Sequence, residues 1–230
     1  MKNSIPIVLS MVILIAAASG CKMLKTAIES RSAANSNAAP PAVAPKINDS
    51  SSTKSPASAS GDPLQDLKTT SKRFSEENAF HAVMDMHGKT DSHMEVSYVA
   101  PDRYSIKNGV METVIIGKQT YMKLNGSWKK FPVDMASQIP NLRQAFTEEA
   151  MKGISNARYL DDDTVDGKDA FVLEYDGDYK GVGAYTSSVW IGKDDGLPMK
   201  IEVRYSDGAL QTMTTDYDYD NVTIDPPVEN

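Results

Sequence analysis

From Asn78 onward apolar and polar residues alternate with period two, the signature of half-buried strands. Phe80, Ala82, Met84 and Met86 share one side of a strand over Phe80 to His87. Met94, Val96 and Tyr98 do the same over His93 to Tyr98, and Pro101-Asp102 breaks the run. Tyr104 and Ile106 lead into Asn108-Gly109, and a second hairpin signal, Asn125-Gly126, follows strands over Met111 to Ile116 and Gln119 to Leu124. A strand from Trp128 to Phe131 ends at Pro132. Strands return over Ala157 to Val165, Ala170 to Tyr175, Tyr185 to Ile191, Met199 to Tyr205 and Ala209 to Tyr219, with Asp-Gly turns at 166, 195 and 207 and a Gly- and Asp-rich loop from Asp176 to Gly183. The pattern predicts about 10–11 strands of one antiparallel sheet.

Two stretches have helical period instead. Leu64, Leu67, Ser71 and Phe74 form one stripe behind an Asp62-Pro63 start, so a helix to about Ser75 is expected. Residues 134–152 place Leu142, Ala145 and Phe146 on one side, split by Pro140 and ended by Gly153. The fold class is therefore α+β, mainly antiparallel β.

The region before Leu64 has no such pattern. Ala27 to Pro63 is rich in Ser, Ala, Asn and Pro and has no aromatic residue. It cannot bury enough apolar surface to offset the entropy of ordering, and it reads as a disordered tether reaching on the order of 35 Å. Ile5 to Ala18 is an apolar run behind a basic start. At about 14 residues it is too short for a span, which needs roughly 20, and it fits a secretory signal. It runs into Ala18-Ser19-Gly20-Cys21, which resembles the lipobox of bacterial lipoproteins, with Ala18 where Leu is favoured. That resemblance implies cleavage after residue 20 and lipidation of Cys21 with two or three acyl chains, palmitate among them. Lys22, not Asp, follows, which favours the outer membrane where the host has one. The expected organisation is a signal peptide over 1–20, a lipidated N-terminus and linker over 21–63, and one domain over 64–230.

Charge narrows the partners. The net charge of -7 becomes -8 without residues 1–20, which hold one Lys and no acid. With a pI of about 5.0, no basic face for nucleic acid is expected. One cysteine excludes an internal disulfide, so the core alone must hold the domain together.

No catalytic signature is present, neither a G-x-S-x-G elbow nor H-E-x-x-H nor a phosphate loop, so no enzyme activity and no cofactor is expected. His81 and His87 fall on the polar side with Asp85 and, with His93, read as surface residues and not a metal site. Asp216, Asp218 and Asp220 resemble half a calcium loop, but Asn221 stands where Gly is needed and Pro227 where Glu is needed. They read as a solvated sheet edge, and Asp161-Asp162-Asp163 as a solvated strand end.

The apolar side is rich in Met and aromatics. Its candidate lining residues are Phe80, Met84, Met86, Met94, Val96, Tyr98, Tyr104, Ile106, Met111, Met122, Trp128, Phe171, Trp190 and Met213. Met adapts to ligands of varied shape. The pattern alone leaves open whether these residues line a cavity or pack a conventional core under the two helices.

Phe80-His81-Ala82 after an amphipathic helix, then Val99-Ala100-Pro101-Asp102-Arg103-Tyr104, then Gly117-Lys118-Gln119-Thr120-Tyr121 resembles the LolA/LolB/LppX-like lipoprotein-carrier superfamily. Val189 to Pro198 followed by Ile201-Glu202-Val203 resembles its back half, so the likeness covers about residues 64–227. It implies a curved half-barrel sheet with helices over the concave side, holding lipid or lipoprotein acyl chains. The soluble carrier has Arg before the proline of that step, where this chain has Ala100, and the release role of that Arg is not transferred to Arg103. With a lipobox present, a tethered receptor or lipid handler in the periplasm is expected over a free shuttle. The alternative is an envelope sensor or assembly module that binds another protein.

Overall fold

The computed structural model describes residues 58–132, 135, 152–179, 183–206, 208 and 210–228. Cys21, most of the predicted tether and the predicted helix over 134–152 lie outside these residues. Among the described residues no helix is long and apolar enough to cross a membrane.

The first element is helix α1, Pro63–Glu76. Asp62 caps it by accepting from the Gln65 amide at 3.1 Å, and Pro63 occupies the first turn, where no amide partner is needed. Its buried side is Leu67, Thr70, Ser71 and Phe74, as the stripe requires, with Asp66 alongside.

Twelve strands follow: β1 (Ala79–Gly88), β2 (Ser92–Val99), β3 (Arg103–Asn108), β4 (Met111–Ile116), β5 (Gln119–Leu124), β6 (Ser127–Phe131), β7 (Ile154–Tyr159), β8 (Asp163–Val165), β9 (Lys168–Tyr179), β10 (Gly183–Gly192), β11 (Pro198–Tyr205) and β12 (Leu210–Asp218). They form one open antiparallel sheet in the order β6-β5-β4-β3-β2-β1-β12-β11-β10-β9-β7, with β8 beside β9. Register shifts between His87 and Gly88, between Trp190 and Ile191, and between Ser155 and Arg158 mark irregularities at which the sheet bends. The result is a curved half-barrel whose strand order ends at β6 and β7 among the described residues.

Several expectations are corrected. The single strand over Ala157 to Val165 is two, because residues 160–162 leave the ladder between β7 and β8. The loop expected from Asp176 is largely strand, since β9 continues to Tyr179. The Asn108-Gly109 turn is shifted by one: Asn108 stays paired with Met111, and Gly109 and Val110 make the turn. Asp216 and Asp218 do not lie on an edge. β12 is central, paired with β1 on one side and β11 on the other, and Asp216 sits between Val83 and Lys200.

Candidate functional site

Directly opposed residues on antiparallel strands share a face, so the register sorts every side chain. One face carries Met122 and Thr120 of β5, Met111, Thr113 and Ile115 of β4, and Tyr104 and Ile106 of β3. It continues through Met94, Val96 and Tyr98 of β2, Phe80, Ala82, Met84 and Met86 of β1, and Met213, Thr215 and Tyr217 of β12. It ends on Ile201 and Val203 of β11, Val189 and Ile191 of β10, and Phe171, Leu173 and Tyr175 of β9.

Helix α1 docks here at two points. Leu67 joins Phe171, Leu173, Tyr175, Val189, Ile191, Ile201 and Val203. Phe74 joins Phe80, Ala82, Tyr98 and Leu197. Its ring lies 5.1 Å from Phe80 and 5.4 Å, edge-on, from Tyr217, and the aromatic chain continues from Phe80 to Tyr98 at 5.6 Å and to Tyr104 at 5.1 Å. Such pairs add about 0.5–1.5 kcal/mol each beyond area burial. The helix is also pinned by polar contacts. Tyr159 donates to Asp66 at 2.6 Å, and Arg73 donates to the Asp195 carbonyl.

Of the fourteen candidate lining residues, twelve share this helix-covered face. Phe80, Met86, Met94, Val96, Tyr98 and Phe171 are buried, while Met84, Tyr104, Ile106, Met122 and Met213 are half-buried. Met111 is 39% exposed at its hairpin end.

Trp128 and Trp190 are corrections, because both lie on the opposite face. The Asn125-Gly126 turn, with φ of 51° and 82°, sets Leu124 against Ser127 and so Lys123 against Trp128, one step out of phase with Met122. Trp128 packs beside Val114, Tyr121 and Ile224 instead. Trp190 falls between Val189 and Ile191, both fully buried on the helix side, and so points the other way. Its indole donates to Asp163 at 2.9 Å and the Lys200 ammonium lies 4.8 Å from its ring centre. Asp163 is therefore engaged, and Asp162 pairs with Lys193, so the Asp161–Asp163 run is more than a solvated strand end.

Away from the Val114–Tyr121–Ile224 cluster the opposite face is mostly polar and charge-paired. Lys107 meets Glu95 at 3.0 Å, Lys123 meets Glu112 at 2.8 Å, and buried Glu174 accepts from Arg158 and from Arg204. His81 and His87 do share the polar side with Asp85, and His93 contacts Asp85 at 2.8 Å. The Asp85 hydrogen bond raises the His93 imidazole above its ordinary range, and the Lys107 hydrogen bond lowers the Glu95 carboxyl. Among the described residues no cluster of His, Cys, Asp and Glu is arranged to hold a metal. Arg103 donates to the Ile224 carbonyl at 2.9 Å and fastens the C-terminal segment to this face.

The sequence reading missed one group on the helix-covered face. Tyr185 and Tyr205 oppose each other, Tyr175 opposes Ser187, and Tyr217 lies nearby on β12. Burial pushes the Tyr205 hydroxyl up to about 12 and holds Tyr175 and Tyr217 above their ordinary range, so all three are neutral donors. The alternation Tyr185, Ser187, Val189, Ile191 was the available signal.

No family model and no curated protein matches this sequence. Solved structures do resemble the fold. The lipoprotein LppX of Mycobacterium tuberculosis matches at 14% identity and a TM-score of 0.54, over 73% of this chain and all of that one. LprF of Mycobacterium bovis matches at 14% identity and a TM-score of 0.55, over 75% of this chain and 99% of that one. The fold is the LolA/LppX-like half-barrel expected from the sequence.

Proposed function

We propose that this protein is a lipid-anchored module of the bacterial envelope that holds acyl chains of a lipid or lipoprotein against the helix-covered face of its sheet, without catalysis. The observation that carries this is the largely apolar stripe from Phe171 on β9 to Met122 on β5, interrupted by small uncharged residues such as Thr215 and Thr113. It extends well beyond the two places where α1 docks, and Met84, Ile106 and Met122 along it are only half-buried. Four of its side chains on β1, β2 and β5 are Met, which can repack around a flexible chain. The likeness of the fold to the lipoprotein LppX supports the same reading.

Burial of one chain of about 16 carbons yields on the order of 10 kcal/mol gross. That is enough to extract a lipid from a bilayer or pass it on without a covalent step. Cys21 acylation and the 21–63 tether would hold the domain beside the membrane, the outer one where Lys22 is read and a second membrane exists.

The test is mass spectrometry of an organic extract of the purified protein. Co-purified lipid is expected, and Met122→Glu or Met84→Arg should remove it while the strand signal in circular dichroism persists. A chain that neither carries nor takes up lipid overturns the reading and leaves the sheet as a protein-binding module.

A further inference from the structure

Ser187 is the one described side chain whose fully buried polar atom has no hydrogen-bond partner. It is 1% exposed in the middle of β10, between Tyr175 of β9 and Val203 of β11. Its hydroxyl is near enough to the Tyr175 hydroxyl to oppose the upward shift that burial imposes there, yet it meets no partner at hydrogen-bond geometry. An unmet buried hydroxyl destabilises a fold, so a protein that keeps one in its core invites a ligand explanation.

The surroundings suit one class of ligand. The Tyr185 and Tyr205 rings lie 6.2 Å apart, tilted by 49°, beside it, and Tyr175 meets Tyr185 edge-on at 6.4 Å. The nearest residues to Ser187 on the helix-covered face of β9 to β11 are Leu173, Tyr175, Tyr185, Val189, Val203 and Tyr205, and none of these is charged. A carboxylate, phosphate or ammonium would find no counter-charge there and would lose its hydration. A neutral acceptor such as an ester or amide carbonyl would gain donors at no such cost.

The Tyr185 ring lies on Gly177 so closely that a Cβ at 177 would sit 2.2 Å from its Cζ. Only glycine leaves room for the ring in this position, at the end of a half-buried side chain.

We propose that Ser187, with Tyr175 and Tyr205, forms a neutral polar subsite for the ester or amide carbonyl that joins an acyl chain to its head, and that Tyr185 over Gly177 is its cover. This rests on the acyl-binding reading and specifies the chemistry at one end of that ligand.

The experiment uses the full chain with Cys21→Ser, so that no acyl group of its own competes, and three probes of equal chain length: methyl palmitate, hexadecane and palmitate. Loss of one hydrogen bond weakens binding by about five- to tenfold. Ser187→Ala should weaken methyl palmitate by that factor, leave hexadecane unchanged and raise the melting temperature of the ligand-free protein. Gly177→Ala should expel the Tyr185 ring and speed methyl palmitate uptake, read by stopped flow. Binding of none of the probes overturns the acyl reading itself. Binding of ester and alkane with equal affinity, equally affected by Ser187→Ala, keeps that reading and overturns the subsite. A fall in melting temperature in Ser187→Ala also overturns the subsite, because it would show that Ser187 is already bonded, to Tyr175.

Discussion

Phe74→Ala tests whether α1 is part of the domain core or only rests on it. Phe74 is 3% exposed and touches two rings, Phe80 and Tyr217, at 5.1 and 5.4 Å. Truncating a buried Phe costs about 3–5 kcal/mol, including the cavity left behind. The aromatic pairs are already contained in that range, so nothing is added for them. For a domain of this size about 2–4 °C of melting temperature is lost per kcal/mol, which gives a fall of about 6–20 °C. The same change should lower the urea midpoint with m unaltered, followed by far-ultraviolet circular dichroism. Because Leu67, Tyr159–Asp66 and Arg73–Asp195 hold the helix at other points, it should stay docked. A loss below about 1 kcal/mol would refute the reasoning, since it would mean that the Phe74 side of the helix already stands away from the sheet.

Asp62→Ala removes the cap of α1 and should cost about 1 kcal/mol in chemical denaturation. Glu174→Gln should cost about 1–3 kcal/mol, at the lower end because Arg158 and Arg204 are half exposed and recover water when freed; a double-mutant cycle with Arg204→Ala should show coupling. The Trp190 indole, foremost, and the Thr164 amide hold the Asp163 carboxyl below its usual range. Trp190→Phe should raise that value in a carbon-13 titration. A carboxyl depressed in the folded state stabilises above its unfolded pKa and loses that contribution as pH falls through the folded one, so the variant should be less stable at neutral pH and equal to the parent in strong acid. Gly126→Ala, at φ 82°, should cost about 1 kcal/mol or more, and any slip of the β5–β6 register should be visible as a shift in Trp128 emission.

The helix and the meander were legible because local chemistry fixes them. Asp62-Pro63 marks the start of α1, and the 64, 67, 71, 74 spacing marks its buried side. Strand parity was legible only where a strand alternates cleanly, as in β1 and β2. At Trp190 three apolar residues run together, Val189-Trp190-Ile191, and size alone suggests that the largest goes inward. It does not, because two fully buried neighbours claim that side. Trp128 was misplaced although the Asn125-Gly126 turn was read correctly, because that turn sets Trp128 against Lys123, out of phase with Met122, and the size of the indole was given more weight than its register. The Asp216 strand was mistaken for an edge because pairing between β1 and β12 joins segments about 130 residues apart, and no local signal carries that. Ser187 was passed over since a serine in an apolar alternation looks like an interruption, whereas its significance lies in the missing partner.

The seam between β1 and β12 divides the sheet into two meanders, β1 to β6 and β7 to β12, each a run of near neighbours in sequence. The join is made by β12, the last of the twelve described strands. Clipping that strand would therefore split the sheet down its middle and not fray a margin.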